Sequence, residues 1–175
     1  DLDAPVLIFG ETGTGKEMIA RACHQSSRRS EGAFLALNCA SLPDSVAETE
    51  LFGYAQGAFN QPNAKEGLLE QARGGTLLLD EIADMSSQLQ AKLLRVLEDG
   101  EFRRVGDAEP VTVDVRFICT TCRDLGQLVE EGRFRKELYY RLNVLSLVMP
   151  SLKERRHDIV PVSYTHLRAH ETKCY

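Results

Sequence analysis

No stretch of this 175-residue chain stays apolar for the roughly 18 residues that a membrane-spanning helix needs. Its first residues also lack the layout of a signal peptide, so the expectation is a cytoplasmic protein with no membrane partner. An excess of positive charge is missing too. The formal net charge is -5 and the isoelectric point about 5.4, which argues against a general basic face that grips nucleic acid. Cysteines are few and odd in number, five scattered through apolar stretches, which fits a reducing compartment better than a disulfide framework. Cys119 and Cys122 form a C-x-x-C, and His166 and His170 an H-x-x-x-H. The stretch 123–165 separates the pairs, far longer than the roughly 12–15 residues of a zinc finger. The pattern is better read as a strand end plus an unrelated tail. No internal repeat is visible. What is present is ordinary for one soluble domain with a substantial core: 43% hydrophobic and 27% charged residues.

Short apolar runs alternate with helical patterns. The runs 5–9 (PVLIF), 34–37 (FLAL), 76–79 (TLLL), 115–120 (VRFICT) and 144–149 (VLSLVM) are apolar throughout rather than alternating, as buried parallel strands should be. Helices are expected from Lys16 to about Ser26, from Ser86 or Ser87 to Asp99, from Asp124 to Glu131 and from Phe134 to Leu142. The alternation predicts a three-layer α/β domain with a parallel sheet of about five strands. Residues 99–117, punctuated by Gly and Pro, read as a hairpin-like insertion, and 52–66 as a second irregular insertion.

Two stretches carry chemistry. Gly10, Gly15 and Lys16 satisfy G-x-x-x-x-G-K, a weak signal alone but placed between a buried strand ending at Phe9 and a helix starting at Lys16. That context aims backbone N–H groups and a helix N-terminus at an anion, with Lys16 as a point charge for the terminal phosphates. The loop Gly10, Glu11, Thr12, Gly13, Thr14, Gly15, Lys16 and Glu17 is therefore the candidate nucleotide cradle. A tight Gly-rich turn would explain the glycines but not the lysine. Glu17 stands where a hydroxyl residue would hold a metal, and it could still reach one through water. Asp80 and Glu81 follow the third apolar run, at the strand end where open α/β sheets bind ligands. Asp80 is the candidate ligand of Mg2+ through water, and Glu81 the candidate group that polarises an attacking water. The competing interpretation is a helix N-terminus with acids favoured by the dipole.

The strings GETGTGKE, ALNCASLPDSVAETELFGYAQGAF, GGTLLLDEI, LQAKLLRVLEDGEFRRVG, VDVRFICTT and FRKELYYRLNVLSLVMPSLKERRHDI together resemble one family over roughly residues 5–160. It is the AAA+ P-loop ATPase domain of bacterial enhancer-binding regulators, the sigma-54 interaction domain. The resemblance implies ATP and Mg2+ as cofactors and ATP hydrolysis as the activity. It implies a homo-oligomer, a hexameric ring or a dimer, that acts on RNA polymerase and its sigma factor. In that family Glu17 is usual after the loop lysine. Asn38 matches a residue that pairs with the catalytic Glu81, although an Asn finishing a strand is as good a description from sequence. Arg135 and Arg141 match arginine fingers that act on a neighbouring subunit's nucleotide. Six residues apart they cannot share a helix face, and each could instead be a surface Arg paired with Glu137 or Glu130.

Three departures qualify the resemblance. The family's sigma-contact loop keeps Gly57, Ala58 and Phe59 here but continues Asn60, Gln61, Pro62, where proline removes an N–H and fixes φ. This argues against productive sigma-54 remodelling and favours the TyrR-like branch, whose members act with the ordinary sigma-70 polymerase. The alternative function is then an ATP-gated oligomerisation module with weak or no turnover. Cys122 takes the place of the family's sensor Asn, and a thiol is a poor donor, which predicts slow hydrolysis with retained ATP binding. After position 161 the pattern stops. The expected division is a core fragment over 1–161, without the family's helical lid, and a non-native tail over 162–175, with DNA contacted only through a C-terminal domain missing from this chain.

Overall fold

The computed structural model describes residues 3–58, 63–151 and 153. Loop residues Phe59–Pro62, the His166/His170 pair and the 162–175 tail lie outside the described residues.

Five parallel strands form the sheet: β1 (Val6–Phe9), β2 (Phe34–Asn38), β5 (Thr76–Asp80), β8 (Arg116–Thr121) and β9 (Leu145–Val148), in the order β2-β5-β8-β1-β9. They coincide with the five apolar runs. Because side chains alternate across a strand, each run supplies two layers. Val6, Ile8, Leu78 and Ile118 face α1 (Lys16–Gln25), where Ala20 joins them. Leu7, Leu37, Leu77, Leu79, Phe117 and Cys119 face the other way, onto the larger cluster. That cluster takes Leu51 and Phe52 from α2 (Asp44–Phe52), Leu69 from α3 (Leu68–Gln71), and Leu89, Leu93 and Val96 from α4 (Ser87–Asp99). Leu125 and Leu128 come from α5 (Leu125–Glu130), and Leu138 and Leu142 from α6 (Lys136–Leu142). Each fully buried aliphatic side chain contributes roughly 1.5–3 kcal/mol of transfer free energy. The three-layer α/β expectation and the strand count hold.

Helix limits follow the local chemistry. Ser86 caps α4, its hydroxyl accepting from the Leu89 N–H, and Gly100, at φ 70°, ends it. Asp124 caps α5 by accepting from the Gly126 and Gln127 N–H groups.

The expectation of uniformly buried strands fails at the two edges. Every residue of β9 is exposed and β2 is only partly covered, because an edge strand has a neighbour on one side alone. The insertions are two small antiparallel ribbons, β3 (Gly53–Tyr54) with β4 (Lys65–Glu66), and β6 (Glu101–Arg103) with β7 (Pro110–Thr112). They are joined to each other. The Val105 N–H donates to Gly53 O at 3.0 Å, the Ala55 N–H returns to Val105 O at 3.0 Å, and Arg104 donates twice to Glu70 at 2.8 and 2.6 Å.

Candidate functional site

The strand order fixes what can meet. Since β8 lies between β1 and β5, and β2 lies beyond β5, the C-terminal ends of four parallel strands form a row along one edge. Phe9 is in register with Thr121, Leu79 with Cys119, and Asn38 with Asp80. The row therefore carries the Gly10–Lys16 loop, Thr120 to Cys122, the Asp80–Glu81 pair and Asn38.

The loop bows around open space. Gly13 and Gly15 sit at φ 83° and 86°, the left-handed region that glycine alone enters freely, and a Cβ at either would meet nothing within 4 Å. The Thr14 hydroxyl donates to Glu11 O at 2.8 Å and pins the turn. Lys16 is buried. Its ammonium donates to Gly10 O at 2.9 Å and Glu11 O at 3.3 Å, and lies 3.1 Å from Glu81 Oε1. Glu11, Thr12, Gly13 and Glu17 are exposed. Glu17 is turned along its helix to Arg21, whose Nε and terminal nitrogen reach its Oε1 at 3.1 and 2.8 Å.

Glu81 is the sole non-glycine residue with positive φ, 52°, among the described residues. Such backbone costs roughly 1–3 kcal/mol and persists only where surroundings hold it. Here the Glu81 N–H donates to Thr120 Oγ1 at 3.2 Å, the Cys122 N–H donates to Glu81 Oε2 at 3.0 Å, and Lys16 holds Oε1. Burial pushes this carboxyl's pKa up. The Cys122 N–H and then the Lys16 ammonium more than offset that, leaving it below the usual carboxylate range.

Asp80 accepts one hydrogen bond on each oxygen: the Thr120 hydroxyl on Oδ1 and Asn38 Nδ2, at 3.0 Å, on Oδ2. The expected Asn38–Glu81 pair is thus replaced by Asn38–Asp80. Register explains it, because Asn38 lies directly beside Asp80 while Glu81, one residue on and in left-handed backbone, turns toward Lys16. Beneath them the Cys39 thiol is pushed up to about 12 by burial and then by the Asp80 charge. Thr120 did not emerge from the sequence. Its signal was the CTT at a strand end, opaque until β8 is known to adjoin β5.

A cleft of about 560 Å³ opens beside the loop, lined among others by Gly10, Glu11, Thr121, Cys122 and Met149, within the size range of small-ligand sites. A second cleft, about 470 Å³, lies between the end of α4 and the β6–β7 ribbon and contains none of these residues. The arginines stand apart from the Lys16 cluster. Arg135 precedes α6, its Nε donating to Ser87 O at 3.3 Å, and Arg141 is exposed in the last turn. Cys119 is buried and Cys122 exposed, and the described residues contain no group of three or more metal-ligating His, Cys, Asp or Glu. No helix among them is long and apolar enough to cross a membrane.

Comparison with known proteins gives consistent matches. The family model described as the Sigma-54 interaction domain matches residues 1–148. The HTH-type transcriptional regulatory protein TyrR of Enterobacter agglomerans is 60% identical over 164 residues, which is 92% of this chain and 31% of that protein. The regulatory protein AtoC of Escherichia coli strain K12 is 55% identical over 157 residues, 89% of this chain and 34% of that protein. The chain thus spans about a third of the length of these curated relatives. The crystal structure of NtrX from Brucella abortus in complex with ATP superposes with a TM-score of 0.87 at 40% identity, covering 98% of this chain and 37% of that one.

Proposed function

The chain belongs to the Sigma-54 interaction domain family, with the α/β fold of AAA+ P-loop NTPases, and from that premise we propose that it binds ATP with Mg2+ and hydrolyses it slowly within a bacterial transcription regulator. The observation that carries this is the 3.1 Å approach of Lys16 to Glu81 beneath a glycine loop whose open side would admit phosphates. The residues fit both cofactors. The loop N–H groups and Lys16 would take the triphosphate. Asp80, with an oxygen turned to each flanking strand and lone pairs remaining, would hold Mg2+ through water. The metal, when bound, neutralises charge on the phosphates.

The remaining chemistry belongs to the chain. Lys16, now satisfied by Glu81 and two carbonyls, would exchange these for phosphate oxygens. Glu81, freed of its counter-ion but still held by the Cys122 N–H, would accept a hydrogen bond from the attacking water and draw off its proton. Arg135 and Arg141, exposed and outside this cluster, would act on a neighbouring copy's nucleotide. The regulator would act as an oligomer on the RNA polymerase complex.

A second reading is an ATP-gated oligomerisation module of a TyrR-like regulator, with no sigma-54 contact. Cys122 favours it, since what it offers Glu81 is a backbone N–H and a thiol rather than a side-chain amide. Phosphate release from ATP, measured with and without a sigma-54 promoter complex, tests both. Turnover raised by the complex supports the first. ATP binding with no response to the complex supports the second, and absence of ATP binding removes both.

A further inference from the structure

Two adjacent threonines close β8, and their hydroxyls are used differently. Thr121 serves its own turn: its hydroxyl donates to Arg123 O at 3.2 Å and accepts from the Arg123 N–H at 3.0 Å. Thr120 is fully buried, and its hydroxyl leaves its own strand for β5. A hydroxyl has one proton to give and lone pairs to receive. Thr120 gives its proton to Asp80 Oδ1 and receives the Glu81 N–H at 3.2 Å. One oxygen atom thus fixes the carboxylate of the first acid and the strained main chain of the second.

We infer that Thr120 is a positioning residue for the metal and water chemistry of Asp80 and Glu81, acting through both acids and touching neither nucleotide nor metal itself. The inference rests on the nucleotide reading above and deepens it. The division of labour follows from the bonds. Asn38 from β2 and Thr120 from β8 grip the two oxygens of Asp80 from opposite sides, so the carboxylate cannot rotate without breaking one of them. The left-handed Glu81 would relax toward ordinary backbone if its N–H lost its acceptor, and its carboxylate would then leave the Cys122 N–H and Lys16. The Gly10–Lys16 cradle shares no hydrogen bond with Thr120. Metal-free nucleotide binding should therefore not be weakened by loss of this hydroxyl, whereas the gain on adding Mg2+ and the rate of hydrolysis should depend on it.

The test compares Thr120→Val, which keeps the shape and removes the hydroxyl, with Thr120→Ser, which keeps the hydroxyl. ATP affinity is titrated in EDTA and again in saturating Mg2+, alongside kcat and KM. For Thr120→Val the expected metal-free affinity is within about twofold of wild type. Its Mg2+-dependent gain and its kcat should each fall about tenfold, the usual scale for losing a group that orients a metal-binding side chain, with KM in saturating Mg2+ rising as the gain is lost. Thr120→Ser should recover most of both. Where the valine variant does not fold, Thr120→Ala is read by the same two ratios. A folded valine or alanine variant with wild-type Mg2+ gain and kcat overturns the inference, as does a serine variant as impaired as valine. Wild type that binds no ATP under either condition overturns the nucleotide reading itself, a result distinguishable from the other two.

Discussion

Glu81 illustrates how one side chain's surroundings set its response to pH. Burial raises its pKa, but the Cys122 N–H and the Lys16 ammonium prevail and the folded value lies below the ordinary 4.5. A carboxyl with a depressed folded pKa stabilises the fold at neutral pH, and that contribution disappears as pH falls from 4.5 through the folded value. Glu81→Gln removes the dependence. The stability difference between wild type and this variant, from urea melts, should therefore shrink between about pH 7 and about pH 3. A difference that stays constant would contradict the assignment. If phosphate takes Lys16 from Glu81, one of the groups that lower the pKa is lost in the complex, so the acid limb of kcat should lie above that of kcat/KM. The cysteines make a second prediction at this scale. Cys122 is exposed, while burial pushes up the thiols of Cys119 and Cys39, the latter to about 12. Peptide mapping after mild iodoacetamide treatment should find Cys122 alkylated well before Cys39 and Cys119, and ATP should slow it.

Among the elements, α4 ties the larger core cluster to the start of α6, burying Leu89, Leu93 and Val96 while its Gln90 side chain donates to Met85 O and accepts from the Arg135 N–H. Leu93→Ala should cost about 2–5 kcal/mol, and Ser86→Ala, which removes the cap, about 1 kcal/mol. Equal costs in denaturant melts would show that the stripe is not packed as described. This helix and the five strands were legible because their apolar spacing is strong and local. Short α2 was not delimited as a helix, since DSVAETELF has scarcely any apolar periodicity and is tied to the core only by burying its own Ala47, Leu51 and Phe52. The exposure of β9 was hidden because Leu145–Val148 is as apolar as a central strand, and only the sheet order puts it at an edge. The same limit applied at the site. Lys16, Asp80 and Glu81 stand in recognisable local strings, but Asn38 holding Asp80 and Thr120 linking both acids depend on which strands adjoin.

At the scale of the whole molecule, the cations around the cleft raise the question of what completes it. Lys16 is the cation of the loop, and Arg123, which lines the same cleft, is held by Asp84 at 2.8 Å. A triphosphate brings several negative charges, and an arginine supplied in cis or in trans can stabilise the transferring phosphoryl group. Arg135 precedes α6 and Arg141 sits in its last turn, both exposed and neither bonded to the Lys16 cluster, and on the proposal above they would serve the next copy. Arg141→Ala should then keep its ATP-induced thermal stabilisation, about 2.7 kcal/mol at a hundredfold excess over Kd, yet lose hydrolysis by about a thousandfold. Lys16→Ala should lose both. On that proposal the two defects would fall in different partners of one composite site, and mixing the inactive variants should restore measurable phosphate release. In the mixture a Lys16→Ala copy offers an intact Arg141 to a neighbour whose own cradle is intact. If the mixture stays inactive at concentrations where wild type assembles and turns over, Arg141 acts within its own subunit and the trans assignment fails.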